Sequence, residues 1–274
     1  MKPVFIRHNL DPSSGILKDL WSRRLIAIHY DNIPSIKPDE YQQMEGRAAL
    51  KRLLGYCKSG AVVGATYRSI RPDKIIIGEI AEDSKVEILN YTNNSGKSEH
   101  LKVVQLINAQ EISFLDYPLL AAIQPIQKTL TGWPSAEKYL LAILRGQSID
   151  WGVGSLAPSQ LEVICYEFLR GNSILKMLLL PIGRSLPDID IYGLDEEGNK
   201  ILAQVTYSRS ISEIERKLAQ LKEYQRNDVR LIFFGRERFK REDALIQYIS
   251  VEQVFDHLSS NTDYRRLIAT MLLQ

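Results

Sequence analysis

Leu186-Pro187-Asp188-Ile189-Asp190-Ile191-Tyr192 is followed, a few residues later, by Ile201-Leu202-Ala203-Gln204-Val205-Thr206-Tyr207. In both runs apolar and polar side chains alternate, which is typical of β-strands that present two different faces. The isoleucines of the first run are therefore expected on one face and its aspartates on the other. Residues 195–199 between the runs are turn-forming, so the two strands are predicted to form a hairpin.

The polar face of this hairpin is a candidate metal site. Asp188, Asp190 and Gln204 are expected to share that face. Clustered carboxylate and amide oxygens are the ligands that hard divalent cations prefer. The alternative interpretation is that the acids only keep an exposed strand face hydrated.

The chain has 274 residues, of which 45% are hydrophobic and 25% are charged. This length predicts two domains, and this composition is that of globular proteins with a hydrophobic core. No apolar run approaches the roughly 20 residues that span a bilayer, and residues 1–8 lack the apolar core of a signal peptide. We therefore expect a cytoplasmic protein that does not act at a membrane. Cys57 and Cys165 lack metal-ligand spacing and are expected to be reduced core thiols.

The first part of the chain, residues 1–118, is predicted to be a small domain of short strands behind one helix. The helix opens near Pro38 and ends near Gly60. The strands that follow it are predicted at residues 61–67, 74–81, 85–91 and 101–107. Short strands at this spacing are typical of a small curled barrel.

The run Ala61-Val62-Val63-Gly64-Ala65-Thr66-Tyr67, a polar turn and the strand at residues 75–80 resemble the PUA and EVE-like domains. The resemblance covers roughly residues 1–115. It implies a PUA-like small β-barrel that recognises nucleic acid or a modified base by stacking the base on aromatic rings. The candidate residues for such recognition are Trp21, His29, Tyr30, Tyr67 and Arg68. Each ring is also a candidate for the core, because large rings dominate the burial energy of a small barrel.

Residues 119–154 contain several breakers of regular structure, including Gly132-Trp133-Pro134 and Gly152-Val153-Gly154. We predict a connector here, with one helix near residues 136–145. The second domain is then predicted to comprise residues 155–274.

That second domain is predicted to run in the order helix, three strands, helix, strand, with two closing helices. Its first helix is expected at residues 160–170, after an N-cap at Ser159. The acidic hairpin supplies two of the three strands. Ser210 and Glu213 have capping-box spacing and open the next helix, and the apolar residues 229–234 form a buried strand.

Basic residues crowd the stretch 209–241. Clustered cations are the electrostatic signature of proteins that bind a phosphate backbone, so Arg209 and Lys222 are candidate nucleic-acid contacts. Interspersed glutamates favour an alternative, a helix surface covered by salt bridges.

The element order and the acids together resemble the PD-(D/E)xK restriction-endonuclease-like superfamily, especially its Mrr-like branch, over about residues 155–260. The resemblance implies a catalytic glutamate on the first helix, at Glu162. It also implies a metal-binding aspartate on the second strand, at Asp190 or Asp188, with Mg²⁺ or Mn²⁺ as the cofactor. A glutamine and a lysine would follow on the third strand, where this sequence has Gln204 and Thr206.

The lysine of that motif is therefore absent, because Thr206 cannot carry a positive charge. Three explanations are open. The cation has moved to another element, with Lys217 and Arg209 as candidates; or the metal and the acids suffice for slow hydrolysis; or catalysis has been lost.

The overall expectation is a mixed α/β protein in which a PUA-like barrel is joined to a restriction-endonuclease-like αβββαβ domain. Its expected function is metal-dependent cleavage of DNA, in restriction, defence or repair. The alternative is a catalytically degenerate protein that binds nucleic acid or acts as a regulator. A third hypothesis is self-association as a homodimer through the apolar stripe Leu267, Ile268, Met271 and Leu272 of the last helix.

Overall fold

The computed structural model describes residues 1–11, 13, 15–125, 129–183 and 186–272. The chain divides into two compact units, residues 1–148 and 149–274. Helices and three β-sheets occur together, so the fold class is mixed α/β. Within the described ranges, no helix is both long enough and apolar enough to cross a membrane.

The first unit is built from strands in two sheets and from short helices. Its strands are β1 (Lys2–Arg7), β2 (Leu25–Ile28), β3 (Ala61–Tyr67), β4 (Arg71–Ile80), β5 (Glu87–Thr92), β6 (Ser98–Gln105), β7 (Ile107–Ser113) and β8 (Leu130–Gly132). Its helices are α1 (Ile16–Ser22), α2 (Met44–Ser59), α3 (Pro118–Ala122) and α4 (Glu137–Leu144).

The two sheets of the first unit do not close into a barrel within the described residues. One sheet has the order β7-β4-β3-β1-β8, and the other has the order β2-β6-β5. Strands β1 and β3 are parallel, whereas the other neighbours are antiparallel. The expected closed barrel is therefore replaced by two separate sheets that share one hydrophobic core.

The segment expected to be a connector belongs in large part to the first unit. Strand β8 pairs with β1 in the register Phe5↔Thr131, and the Trp133 backbone N–H donates to the Pro3 carbonyl at 2.8 Å. The Trp133 ring is buried, and a Cβ placed on Gly64 of β3 would lie 2.5 Å from it. Burial of this ring against β3 explains why the chain does not leave the unit here.

Two of the rings expected to stack a base lie in the core. Tyr67 is 0% exposed and Trp21 is 8% exposed, and their rings meet edge to face at 5.3 Å. Tyr67 also stacks on His8 at 4.1 Å and donates from its hydroxyl to the Leu25 carbonyl at 2.5 Å. The prediction that Trp21 and Tyr67 form a base-stacking pocket is therefore wrong, because neither ring has a free face.

The second unit has the predicted order of helix, three strands, helix and strand. Its elements are α5 (Pro158–Gly171), β9 (Met177–Leu178), β10 (Ile191–Leu194), β11 (Lys200–Val205), α6 (Ile211–Lys222), β12 (Val229–Gly235), β13 (Ile246–Ser250), α7 (Val251–Ser260) and α8 (Thr262–Leu272). Strand β13 was not predicted.

The second unit is built on one sheet, whose strands have the order β13-β12-β11-β10-β9. Strands β11, β12 and β13 are parallel, while β10 runs antiparallel to both β11 and β9. The carboxyl ends of the three parallel strands therefore meet at one edge of the sheet. Ligand sites in α/β proteins commonly lie at such an edge.

Helix α8 does not offer the predicted dimer surface. Ile268, Met271 and Leu272 are buried within the chain itself, and Leu267 is half-buried. The stripe belongs to the core of the second unit, because an amphipathic helix buries its apolar side against its own domain.

Candidate functional site

The two aspartates of the acidic stretch occupy different local structures. Asp190 precedes β10 and lies beside β11, since its N–H donates to the Ala203 carbonyl at 2.9 Å. Asp188 instead lies in a turn that is closed by the Ile189 N–H and the Leu186 carbonyl at 3.2 Å. With Pro187 at the second position and a φ of 58° at Asp188, this is the geometry of a type II turn. The prediction that both aspartates share one strand face is therefore wrong.

The carboxylate of Asp190 is oriented by its hydrogen bonds. Its Oδ2 accepts from the Val205 N–H at 2.7 Å and from Gln204 Nε2 at 2.5 Å. Gln204 is 2% exposed, and its amide also donates to the Val205 carbonyl at 3.1 Å. The amide oxygen Oε1 of Gln204 is buried and has no hydrogen-bond partner among the described residues. Such an acceptor is rare in native proteins and needs an explanation.

Glu162 reaches the same place from helix α5. A Cβ built on Gly183 would lie 2.8 Å from Glu162 Oε2, so the loop before the acidic stretch runs directly past this carboxylate. The Cys165 thiol is buried below both acids. Burial raises the pKa of Cys165 well above its usual value, and the charges of Asp190 and Glu162 raise it further. Glu162 and Asp190 also line one and the same cavity.

Two cavities open on these acids. The larger, of about 500 Å³, is lined by Leu186, Pro187, Asp188, Ile189, Asp190, Gln204 and Lys217. The smaller, of about 200 Å³, is lined by Pro158, Leu161, Glu162, Asp190, Val205, Thr206 and Lys217. Asp190 and Lys217 line both cavities, so an acid and a cation lie between the two spaces.

Helix α6 brings Lys217 to this position. Ser210 caps the helix by accepting from the Glu213 N–H, and the buried residues Ile214, Leu218 and Leu221 pack it on the sheet. Lys217 adjoins that apolar stripe and is half-buried. Within the described part of the chain it has no carboxylate partner within 4.0 Å.

The neighbouring cations of helix α6 are neutralised by ion pairs. Arg216 lies 3.7 Å from Asp188, and Lys222 lies 2.5 Å from Asp243. Arg209 is exposed and lines neither cavity. Of the two cations predicted to replace the motif lysine, the structure therefore brings Lys217 to the acids and not Arg209.

Thr206 occupies the place of the motif lysine and is buried. Its N–H donates to the Phe234 carbonyl at 2.9 Å, and its hydroxyl accepts from the Ser208 N–H at 3.4 Å. The residue is thus held in the turn that leaves β11. It supplies a neutral hydroxyl to the smaller cavity and no charge.

The oxygen atoms of this site fit a hard divalent cation. Among the described residues, no three His, Cys, Asp or Glu side chains converge on one point, so a cage made only of such ligands is not present. Mg²⁺ does not need one, since it commonly binds one or two carboxylates and takes its other ligands from water and substrate phosphates. The Asp190 carboxylate and the unsatisfied Gln204 oxygen provide donors of this type.

The other residues predicted to contact nucleic acid are scattered over the first unit. Tyr30 is half-buried in a groove that Met44 and Arg52 also line, and Arg68 is exposed and donates to Gln124 at 2.6 Å. His29 lies 2.9 Å from Glu99. These side chains do not form one aromatic pocket with Trp21 and Tyr67, which are buried.

Sequence reasoning missed Gly183 as a residue of the site. Its φ of +85° lies in the left-handed region, which favours glycine, and a Cβ at this position would displace the Glu162 carboxylate from its present place. A glycine shortly before the acidic stretch was the available signal.

Comparisons with known proteins give only distant similarities. No family model and no curated protein matches the chain. Among solved structures, the EndoMS–dsDNA2 complex is 12% identical, covering 68% of this chain and 70% of that chain with a TM-score of 0.23. A repair endonuclease from Pyrococcus abyssi is 16% identical, covering 87% and 96% with a TM-score of 0.20. EndoMS in its apo form is 12% identical, covering 60% and 68% with a TM-score of 0.18, and TM-scores this low do not assign the chain to a family.

Proposed function

We propose that the second unit is a metal-dependent phosphodiester hydrolase that cleaves DNA, as an endonuclease of restriction, defence or repair. The observation that carries this proposal is the position of Lys217. This lysine lines both cavities beside Asp190, together with Gln204 in one and Glu162 in the other. An acid, an amide oxygen and a cation therefore surround one space, although the strand position of the cation holds Thr206.

Asp190 and Gln204 are the residues that would hold Mg²⁺ or Mn²⁺. When bound, the metal would supply an acidified water and neutralise charge on the phosphate. Asp190 is prepared for this role because two N–H donors fix one of its oxygens. Gln204 could present its buried oxygen, which has no other described partner, to the ion.

The remaining groups act on the substrate and the attacking water. Glu162 faces the smaller cavity, where its carboxylate can orient the water and accept its proton. Lys217 can donate from Nζ to a non-bridging phosphate oxygen and stabilise the charge that develops there. Lys217 is half-buried, and among the residues that the structure describes no carboxylate pairs with it. Its charge is therefore less screened than that of an exposed side chain.

A specific observation also favours the second candidate function, a DNA-binding protein without catalysis. Directly after the third strand, where the motif has its lysine, this chain has the buried and neutral Thr206. In such a protein the cleft would bind the backbone without breaking it.

The test compares two lysines of one helix. Lys217→Ala is expected to lower the rate of Mg²⁺- or Mn²⁺-dependent DNA cleavage roughly 100- to 1,000-fold, as expected for the loss of one charge-stabilising group. Lys222→Ala removes the same charge from the same helix, but from a lysine that is paired with Asp243. It is expected to change the rate by less than about threefold.

Metal binding is measured separately by calorimetry with Mn²⁺ alone, on the wild type and on Asp190→Asn. Weaker Mn²⁺ binding in Asp190→Asn supports the metal site without reference to activity. Cleavage by Lys217→Ala at the wild-type rate would contradict the role of Lys217. Tight DNA binding by the wild type without strand breaks in either metal would identify the non-catalytic protein.

A further inference from the structure

Two arginines that follow β12 are held in an arrangement that the proposed catalytic site does not use. Arg236 lies over the ring of Tyr207, with its guanidinium carbon 3.6 Å from the ring centroid, and its Nε–H donates to the Tyr207 carbonyl at 2.9 Å. Arg238 lies over the ring of Phe239 at 4.4 Å and donates to the Arg209 carbonyl at 3.2 Å. Both guanidiniums therefore stack on a ring and bind the segment that leaves β11.

The backbone of Arg236 is fixed as well. Its carbonyl accepts from the Tyr248 hydroxyl at 3.0 Å and from the Phe239 N–H at 3.0 Å. A Cβ on the preceding Gly235 would lie 2.1 Å from the Tyr248 oxygen, so this contact requires glycine. A guanidinium held at both its backbone and its Nε loses little further entropy when it binds a ligand.

Among the residues that the structure describes, no carboxylate neutralises the charge of Arg236 or Arg238. Neither has an acidic partner within 4.0 Å, whereas many other cations of the second unit do. Those pairs are Arg170–Glu167, Lys176–Glu196, Lys200–Asp228, Arg216–Asp188, Lys222–Asp243, Lys240–Glu237 and Arg241–Glu215. The terminal amino groups of Arg236 thus remain available for an anion.

The nearby acids are occupied. Glu252 accepts from the Glu237 N–H at 2.9 Å and from the Ser250 hydroxyl at 3.1 Å, and Glu237 pairs with Lys240 at 4.0 Å. These acids reduce the local positive potential, but they do not bind the arginines.

Arg236 and Arg238 follow β12 at the edge of the sheet where Asp190 also lies. Val205, whose N–H donates to Asp190, is two residues before Tyr207, so the Cα atoms of Val205 and Tyr207 lie at most about 7 Å apart. On β12, the Phe234 carbonyl accepts from the Thr206 N–H, and Arg236 follows two residues later. An anion bound by Arg236 would therefore lie at the edge of the sheet that also carries Asp190.

We propose that Arg236 and Arg238 form a clamp for the DNA backbone, in which they bind phosphates next to the one that is cleaved. This inference rests on the proposed function of the acidic site. Planar guanidiniums suit phosphate because they donate two parallel hydrogen bonds. DNA carries a phosphate at every nucleotide. The phosphates that neighbour the cleaved one are therefore available to Arg236 and Arg238. The clamp positions the backbone and does not touch the reacting atoms.

The experiment measures binding of fluorescein-labelled duplex DNA in EDTA, where no cleavage occurs, over a series of NaCl concentrations. Arg236→Gln is expected to weaken binding roughly 10-fold and to lower the slope of log K against log salt by about 1, because one phosphate contact is lost. Arg230→Gln is the matched control. It removes the same charge from the opposite end of β12, about 20 Å away at the strand rise, where Arg230 donates to Gln247.

A second pair of variants separates binding from a merely structural role. Tyr207→Phe keeps the ring beneath Arg236 and is expected to retain affinity, whereas Tyr207→Leu removes the ring and is expected to weaken binding several-fold. Unfolding in urea is followed for each variant. A loss of stability with unchanged affinity and salt slope in Arg236→Gln would overturn the proposal, as would equal effects of Arg236→Gln and Arg230→Gln. Absence of DNA binding by the wild type would also overturn it.

The experiments distinguish a failure of the proposed clamp from a failure of the proposed hydrolase function. If Arg236→Gln weakens binding but the wild type cuts no DNA with Mg²⁺ or Mn²⁺, the clamp is supported and the hydrolase is wrong. If Lys217→Ala abolishes cleavage while Arg236→Gln leaves binding intact, the hydrolase is supported and the clamp is wrong. RNA of the same sequence is tested in parallel, and tighter binding of RNA would contradict DNA as the ligand.

Discussion

The aromatic rings around Tyr67 in the first unit and the acidic site around Asp190 in the second unit are both candidate ligand sites from the sequence, but they have opposite surroundings. Trp21 and Tyr67 contact each other and are buried. Asp190 and Lys217 instead line cavities. Whether another layer of the protein covers those side chains depends on packing between distant segments, which alternation along one strand does not reveal.

The largest expected effect concerns the acidic site, whose side chains line cavities. Asp190→Asn is expected to lower metal-dependent DNA cleavage by about 1,000-fold or more, because it removes the charge that holds the metal while it keeps an acceptor for the Val205 N–H. Asp190→Ala is expected to have the same effect on cleavage. It also costs about 1–3 kcal/mol of stability, because that N–H loses its partner. Cleavage rates and urea unfolding are measured on both, and wild-type cleavage by either variant would contradict the assignment.

The next prediction concerns the buried aromatic rings of the first unit. Trp21→Ala is expected to reduce the free energy of unfolding by about 3–5 kcal/mol, because it removes a large buried ring from the core. Chemical denaturation measures the loss. Tyr30→Ala changes a half-buried ring of the same unit and is expected to cost clearly less. A Trp21→Ala variant with wild-type stability would show that the ring is free to bind a ligand after all.

A smaller effect is expected from the histidine in the same cluster. His8 donates from Nδ1 to the Thr66 carbonyl and accepts at Nε2 from the Ala27 N–H, so it is held neutral, and burial lowers its pKa to about 4. The unfolded chain takes up this proton near pH 6.5, whereas the folded chain does so only near pH 4. The contribution of His8 is therefore complete above pH 6.5, falls as the pH drops toward 4, and amounts to up to about 3 kcal/mol.

Urea unfolding at pH 7 and at pH 4.5 measures this contribution. The loss of stability between the two pH values is expected to be smaller in His8→Gln than in the wild type. If the stability of His8→Gln and of the wild type depended equally on pH, His8 would not be buried as a neutral side chain in the core.

The smallest predicted effect separates backbone strain from the contact beside Glu162. Gly183 and Gly198 have φ values of +85° and +87°, so alanine at either position is expected to cost about 1–2 kcal/mol of stability. A Cβ at Gly183 also meets Glu162, whereas nothing lies within 4 Å of a Cβ at Gly198. Gly183→Ala is therefore expected to lower DNA cleavage several-fold more than Gly198→Ala at similar stability. Equal cleavage rates in the two variants would remove Glu162 from the site.

The sequence allowed much of the second unit to be predicted. Its order of elements follows from periodicity and from helix caps such as Ser210, and the spacing of the acids placed Asp190 beside Gln204. The turn at Asp188 could not be distinguished from a strand, because alternating residues fit both and the left-handed φ of this aspartate depends on its surroundings.

Long-range pairings were the main source of error in the first unit. Strand β8 has three residues, too few for a periodic signal, and it forms because β1 offers an unpaired edge more than one hundred residues earlier in the chain. The barrel was likewise predicted from the spacing of strands. How β2, β5 and β6 separate into a sheet of their own is decided by pairing across the chain.

The pairing of β1 with β8 has a consequence for the assembly of the first unit. β1 lies between β3 and β8, so the sheet is incomplete until residue 132 is available. A fragment that stops at residue 118 would leave β1 as a sheet edge rich in apolar residues, and it would remove Trp133 from beside Gly64. Unpaired edges of this kind promote association between chains. A soluble fragment of this unit should therefore extend to residue 148, and the chain is expected to complete the sheet late, because its closing contacts are distant in sequence.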